Sequence, residues 1–174
     1  MEEIIRMFLE LGIRLDSDWL AGVELVHETC LTVDDVYTAL MASDLRQSCA
    51  STGSVISRDK SCVSEGSWLF QITSYRDISI PNTHCTKSSK RMLKLEMHCG
   101  SVCLHAIELV ACSELPDEPD GGTKLIIKGS PRVHKGIVLL MPQHIQIIGG
   151  HVTELIMEQK LIKEKKNRDP LTYR

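Results

Sequence analysis

A chain of 174 residues with 43% hydrophobic and 25% charged residues is expected to fold as one medium or two small globular domains. No apolar run approaches the roughly 18 residues that span a membrane. The net charge of −3 does not favour a dedicated nucleic-acid-binding protein, since such proteins are usually basic. Seven cysteines without disulfide-scaffold spacing, after an N-terminus "MEEIIRMFLE" with no export signal, predict reduced thiols in the cytosol or nucleus.

The N-terminal quarter of the chain has the apolar spacing of helices. "EEIIRMFLELG" places its apolar side chains on one stripe, and Gly12 provides a C-terminal stop. A second helix is predicted after Asp16 or Ser17, because either side chain can cap it. Thr32, followed three residues later by Asp35, resembles a capping box and predicts a third helix. Three short helices predict a small bundle that packs on the rest of the chain.

The middle of the chain has the pattern of strands. "SWLFQITSYRDISI", "TKLIIKG", "GIVLLM" and "HIQIIGG" predict strands, and "SPRVHKG" predicts a turn. "RMLKLEMHCGSVCLHAIEL" predicts a hairpin that turns at Cys99-Gly100. Its apolar face would carry the pairs Met97–Val102, Leu95–Leu104 and Leu93–Ala106, and its polar face the pairs Glu96–Cys103 and Lys94–His105.

The polar face of this hairpin carries residues of the types that bind zinc. A zinc site would use His98, Cys103 and His105, with a fourth ligand from His84 or Cys85. However, the stretch contains neither a CxxC nor an HxxxH pair. The sequence therefore favours the outer wall of a barrel over a metal site, and we expect no cofactor and no bound metal.

The C-terminal stretch "HVTELIMEQKLIKEKKN" returns to helical spacing, with a solvated basic end. Its apolar face would consist of Val152, Leu155, Ile156 and Ile162. Five short strands followed by a helix predict a small closed Greek-key barrel in an α+β chain. The predicted regions are a helical bundle at 1–46, a linker or loosely packed crossing segment at 47–66, a barrel at 67–150 and a C-terminal helix with a basic tail at 151–174. The low hydrophobicity of 47–66 argues against a buried element there.

The apolar run from Ile137 to Met141 exceeds what a barrel core requires. Alternation along a strand buries only half of such a run, so another element or a partner must cover the other half. We therefore expect Ile137, Leu139 and Met141, if that set faces outward, to contact a partner protein.

The motifs "SDLRQ", "RMLKLEM", "GTKLIIKG" and "GIVLLMPQHIQIIGGHV" occur in this order along most of the chain. In this order and spacing the sequence resembles the N-terminal region of the family of RecQ-mediated genome instability protein 1 and Tudor domain-containing protein 3. The resemblance implies a three-helix bundle followed by a five-stranded OB-fold barrel. It also implies a noncatalytic subunit that regulates topoisomerase III, a type IA topoisomerase, in DNA junction dissolution, decatenation or the control of R-loop and RNA topology.

The resemblance further implies an insertion loop between the first two barrel strands that reaches the topoisomerase gate. In this chain that loop consists of Ile80, Pro81, Asn82, Thr83, His84, Cys85, Thr86, Lys87 and Ser88. Its shortness is similar to the Tudor-type branch and favours topoisomerase III β over topoisomerase III α. A RecQ-helicase complex is a further implied partner, a membrane is not, and the implied location is the nucleus, with the cytoplasm as a second location.

No Tudor domain and no second OB-fold lie within the 174 residues, so we expect a fragment or a truncated relative, without methylarginine binding. The alternative function is direct binding of single-stranded nucleic acid by the OB-fold. The central hairpin has no aromatic residue to stack on bases, which argues against it. Lys87, Lys90 and Arg91 are expected to form a solvated rim, with phosphate contact as the alternative. No catalytic motif is present, so we do not expect an enzyme.

Overall fold

The computed structural model describes residues 2–26, 31–50, 55, 62–79 and 91–168. Within these residues, no helix has both the length and the apolar character that crossing a membrane requires. The elements in chain order are α1 Glu2–Glu10, α2 Ser17–Val26, α3 Val33–Ala42, α4 Leu45–Ser48, β1 Ser67–Asp77, β2 Leu93–Cys99, β3 Val102–Glu108, β4 Lys124–Lys128, β5 Val133–His134, β6 Ile137–Leu140, a 3-10 turn Pro142–His144, β7 Ile145–Gly149 and α5 Thr153–Arg168.

The predicted helix ends are confirmed. Gly12 follows α1 with a φ of 78°, a conformation that glycine adopts without steric cost, and a Cβ there would lie 2.3 Å from the Ser67 carbonyl oxygen. Asp16 caps α2, since its Oδ1 accepts hydrogen bonds from the backbone N–H groups of Asp18 and Trp19. Thr32 and Asp35 form the predicted capping box of α3.

The helical region contains one element more than predicted. The single-turn helix α4 follows α3, capped by the carboxylate of Asp44. The segment 47–66, in which the sequence argued against a buried element, nevertheless contributes residues to the core. Ser48, Cys49, Val55 and Val63 are all buried. The average composition of this segment, rich in serine and glycine, does not indicate these four positions. Burial depends on which individual side chains face the core.

The sheet has seven strands in the order β5-β6-β3-β2-β1-β4-β7, rather than the five predicted. The segment "SPRVHKG", predicted as a turn, contains β5, which pairs with β6 through a two-residue turn with Lys135 and Gly136 at positive φ. Pro142 begins the 3-10 turn that separates β6 from β7, and proline cannot donate to a strand ladder. The two strands on either side of this turn correspond to the predicted segments "GIVLLM" and "HIQIIGG".

The sheet is rolled up, because its two sides are joined by a short connection. Only residues 141–144 separate β6 from β7, and such a connection spans at most about 18 Å. Six strands in a flat sheet would place β6 and β7 about 24 Å apart. The rolled sheet encloses the core, which includes Phe70, Leu95, Met97, Leu125 and Val138.

The hairpin β2–β3 is confirmed, but its predicted turn is wrong by one residue. The observed pairs are Cys99↔Val102, Met97↔Leu104 and Leu95↔Ala106, so the turn residues are Gly100 and Ser101. The predicted pairs fail, whereas the two faces are as predicted, because a shift of partners by two positions preserves the alternation of sides. Gly100 has the expected positive φ of 54°. A Cβ at Gly100 would lie 2.8 Å from the Cys49 carbonyl oxygen, which fixes the turn against the helical region.

Polar contacts hold the helical region on the rolled sheet. The buried Gln71 of β1 accepts a hydrogen bond from the Leu45 N–H at 3.0 Å and donates one to Asp44. Gly100 donates to the Leu45 carbonyl oxygen, and Lys124 donates to the Met41 carbonyl oxygen, both at 3.0 Å. Because buried polar groups are costly when unpaired, these contacts specify how the helices dock.

The C-terminal helix α5 packs through its first turn. Val152, just before the helix, and Leu155 are buried at 3% exposure each, and Ile156 is half-buried. Ile162, seven positions after Leu155 and predicted near the same face, is 55% exposed and is not part of the core. Farther along the helix the contacts with β1 are polar: Gln159 Nε2 donates a hydrogen bond to the Thr73 carbonyl oxygen at 3.2 Å, and the Lys163 ammonium lies over the Tyr75 ring.

Candidate partner-binding surface

The predicted insertion loop lies outside the described residues, but its base is defined. The loop leaves β1 after Asp77 and returns to β2 at Leu93. Ile78 donates a hydrogen bond to the Met92 carbonyl oxygen at 2.8 Å. The carboxylate of Asp77 accepts hydrogen bonds from the backbone N–H groups of Ser79 and Met92. The Ser79 hydroxyl also donates a hydrogen bond to this carboxylate. This hydrogen bond is the main reason that the pKa of Asp77 lies below its usual value, and slight burial opposes the shift. The two ends of the loop are therefore fastened together at its base.

The predicted partner-binding residues of the barrel, Ile137, Leu139 and Met141, lie on its outer side. Val138 and Leu140 are buried, while Ile137 and Leu139 are half-buried and Met141 is 36% exposed. Strand β6 runs parallel to β3, with Leu139 opposite Ile107. We define the β3–β6 face as Ile107, Ile137, Leu139 and Met141.

A groove lies beside the β3–β6 face. It has a volume of about 650 Å³ and is lined by Leu139 together with Cys62, Ser130, Arg132, Val133 and His134. The half-buried Leu139 therefore forms one wall of a concave surface, a shape that suits a protruding side chain of a partner.

Arg91 is not the solvated rim residue that the sequence favoured, because its side chain is engaged within the protein and is only 17% exposed. Its guanidinium pairs with the buried carboxylate of Glu108 at 3.0 Å and with the exposed carboxylate of Asp117 at 2.5 Å. It also donates to the carbonyl oxygens of Cys112 and Leu115. Arg91 fastens the loop after β3 to the start of β2, which leaves it little capacity for a ligand. Lys87 and Lys90 lie outside the described residues.

The aromatic residues of the strands are engaged within the protein. Phe70 is buried, and Trp68 packs against the core and donates its Nε1–H to the Ser64 carbonyl oxygen at 2.9 Å. Tyr75 packs against the core, and the Lys163 ammonium lies 5.1 Å from its ring centroid. In the strands as described, no aromatic ring is therefore left as an open platform for base stacking.

The outer face of the hairpin gathers polar residues. Among the residues that the structure describes, one ligand atom each from Glu96, His98 and Cys103 lies within 4.8 Å of the other two. The sequence had grouped His98 and Cys103 with His105, which instead lies opposite Glu96 in the ladder. His84 and Cys85, the predicted sources of a fourth ligand, lie outside the described residues.

The pKa values of Glu96 and Cys103 are shifted in opposite directions. Although partial burial opposes it, hydrogen bonds from His98 and Ser74 hold the pKa of Glu96 below its usual value. Partial burial, together with the negative charge of Glu96, raises the pKa of the Cys103 thiol. The carboxylate is thus ionised and the thiol protonated at neutral pH.

Two residues of these surfaces, and the burial of one lysine elsewhere, were not predicted from the sequence. Glu96 was placed on the polar face without a role, although its position two residues before His98 puts both side chains on one side of β2. Ile107 was not assigned to the outer apolar set, because the parallel pairing of β6 with β3 has no local signal. Lys124 is fully buried, which nothing in "GTKLIIKG" indicates.

Comparison with known proteins supports the motif-based interpretation. The sequence model of the family described as "RMI1, N-terminal OB-fold domain" matches residues 81–163. Tudor domain-containing protein 3 of Xenopus tropicalis is 32% identical over 97 residues, which cover 55% of this chain and 14% of that protein. RecQ-mediated genome instability protein 1 of Xenopus laevis is 31% identical over 68 residues, which cover 39% of this chain and 12% of that protein.

A third relative, Tudor domain-containing protein 3 of Danio rerio, is 28% identical over 93 residues, which cover 53% of this chain and 13% of that protein. The chain thus spans about an eighth of the length of these curated relatives. The family match covers β2 to most of α5, so this part of the α+β chain is similar to an OB-fold domain. The predicted resemblance is confirmed: the chain resembles the N-terminal OB-fold region of the RecQ-mediated genome instability protein 1 and Tudor domain-containing protein 3 family.

Proposed function

We propose that this protein is a noncatalytic subunit that binds topoisomerase III and regulates it in DNA junction dissolution, decatenation or the control of R-loop and RNA topology. The observation that carries the proposal is the apolar β3–β6 face on a domain similar to the genome-instability family. A RecQ-helicase complex would be reached through the same assembly. The nucleus is the expected location, and topoisomerase III β is the preferred partner because the loop is short.

The β3–β6 face supports a protein partner. Its side chains stand on the outside of a strand pair whose inner side chains already fill the core. Apolar side chains clustered on an outer sheet face, beside a groove, are typical of a binding surface. Polar residues of the hairpin lie on the adjacent strands, as expected for the rim of such a surface.

Direct binding of single-stranded nucleic acid is less well supported. The net charge is −3, and the strand aromatics are engaged within the protein. Arg91, the loop-flanking base that the structure describes, is committed to Glu108 and Asp117. Nucleic acid is therefore proposed to reach this protein mainly through the topoisomerase.

We expect Leu139→Glu to weaken binding of topoisomerase III by about 30-fold, which is the loss expected for a central interface residue worth about 2 kcal/mol. The introduced carboxylate would be buried without a partner in the complex. The measurement is a binding titration by isothermal calorimetry, with thermal unfolding of each variant to establish folding. Leu25→Glu on α2, where the side chain is 87% exposed, is the matched control and should bind like the parent. Equal affinities for the two variants would contradict the placement of the interface.

We expect replacement of residues 80–88 by a short Gly-Ser turn to preserve folding and to change the strand-passage activity of the topoisomerase complex. The base of the loop is held by Asp77 and the Ile78–Met92 hydrogen bond, which the replacement retains. Decatenation is measured with equal concentrations of assembled complex, so that a loss of binding is distinguished from a loss of gate control. Unchanged binding together with unchanged strand passage would show that the loop has no role in the partnership.

A further inference from the structure

Two cross-strand pairs form a square of metal-ligating residue types on the outer face of the hairpin. Glu96 lies opposite His105, and His98 lies opposite Cys103. Within each strand the two residues are separated by one position, so all four lie on the same side of the sheet. Opposite Cβ atoms in such a ladder are about 5 Å apart, which is the reach over which side chains can share one ion.

The distances already approach those of a metal site. One ligand atom each from Glu96, His98 and Cys103 lies within 4.8 Å of the other two. His98 Nε2 lies 3.4 Å from Glu96 Oε1. Zinc bonds of about 2.0–2.3 Å in a tetrahedron place ligand atoms about 3.3–3.8 Å apart. The His98–Glu96 edge fits without movement, and the thiol needs to approach by no more than about 1 Å, which side-chain rotation allows.

A second hydrogen-bonding residue orients the carboxylate. Ser74 on β1 donates its hydroxyl to Glu96 Oε2 at 3.0 Å. The other carboxylate oxygen, Oε1, is thereby directed toward His98. Support of a ligating carboxylate by a neighbouring donor is characteristic of metal sites, because it fixes the orientation of the ligand.

We propose that Glu96, His98 and Cys103 bind a zinc ion, with His105 or water as the fourth ligand. A mixture of carboxylate, imidazole and thiolate ligands suits Zn²⁺, whereas Mg²⁺ and Ca²⁺ take oxygen ligands. Zn²⁺ displaces the proton of the Cys103 thiol, which passes to solvent, and no electrons are transferred. The bound ion would fasten β2 to β3 beside the β3–β6 face. The inference depends on the hairpin alone and does not require the proposed topoisomerase partner.

The test is zinc binding by the untagged full chain, measured by isothermal calorimetry and by elemental analysis after dialysis. We expect about one zinc ion per chain. Cys103→Ser and His98→Gln should each weaken the affinity by more than about tenfold, because loss of an outer hydrogen-bonding residue alone costs 10- to 100-fold. Cobalt substitution should give a thiolate-to-cobalt charge-transfer band that Cys103→Ser abolishes.

Matched controls separate this site from other thiols and imidazoles of the chain. Cys62→Ser and His151→Gln remove a half-buried thiol and an exposed histidine outside the group, and should leave both affinity and spectrum unchanged. Glu96→Gln should weaken binding while Lys94→Gln on the same strand should not. Absence of stoichiometric zinc, or zinc that Cys103→Ser and His98→Gln both leave in place, would overturn the proposal.

Discussion

Replacing Arg91 with methionine is expected to lower the free energy of unfolding by about 3–5 kcal/mol, the typical cost of removing one partner of a buried ion pair. Glu108 has a fully buried side chain, and its Oε1 accepts hydrogen bonds from Arg91 at 3.0 Å and from the Cys112 N–H at 2.5 Å. Without the guanidinium, a carboxylate charge remains in the protein interior. The carbonyl oxygens of Cys112 and Leu115 also lose a donor.

The exposed partner of the same arginine provides the control. Asp117 has a side chain that is 88% exposed, so Asp117→Asn should lower stability by less than about 1 kcal/mol. Urea unfolding monitored by circular dichroism measures both variants. Equal losses for Arg91→Met and Asp117→Asn would contradict the assignment of Glu108 as the dominant partner.

Lys124 is expected to contribute about 3 kcal/mol of additional stability as the pH rises from 8 to 10.5. Burial lowers the pKa of this lysine to about 8, although the negative charge of Asp44 opposes the shift. Below pH 8 the lysine is protonated in both the folded and the unfolded chain, so its contribution is constant. Between the two pKa values the unfolded chain holds a proton that the folded chain has released, so raising the pH favours the folded state.

Lys124→Met is expected to abolish this rise. The variant removes the titrating group and leaves the carbonyl oxygens of Met41 and Gly122 without the ammonium donor. Lys128→Met, at an exposed position of the same strand, should keep the pH dependence of the parent. The raised thiol pKa values of Cys49, Cys103 and Cys112 act in the opposite direction in all three proteins, so the quantity compared is the difference between each variant and the parent. Parallel pH profiles for Lys124→Met and the parent would contradict the burial of this charge.

Local sequence signals predicted the features of the fold that depend on neighbouring residues. The capping box at Thr32, the stop at Gly12 and the alternating faces of the hairpin all follow from residues within a few positions of one another. The missed features are long-range. The pairing of β6 with β3, which brings Leu139 to Ile107, joins segments about thirty residues apart and has no local signature.

For the candidate surfaces too, local features were predictable from the sequence and long-range contacts were not. That Ile137, Leu139 and Met141 form one set followed from strand alternation, but only the fold shows that this set faces outward. Arg91 looked like a solvated base because its partner Glu108 is seventeen residues away. The cluster of Glu96, His98 and Cys103 depends on a register that the sequence placed one turn residue too early.

The central claim, that this protein is a topoisomerase III subunit, is tested most directly by size-exclusion chromatography of the chain mixed with purified topoisomerase III α or β. Stable co-elution with at least one of the two enzymes is the predicted result, with the stronger association expected for the β enzyme. Separate elution from both enzymes, at concentrations where the chain alone is folded by circular dichroism, would contradict the claim.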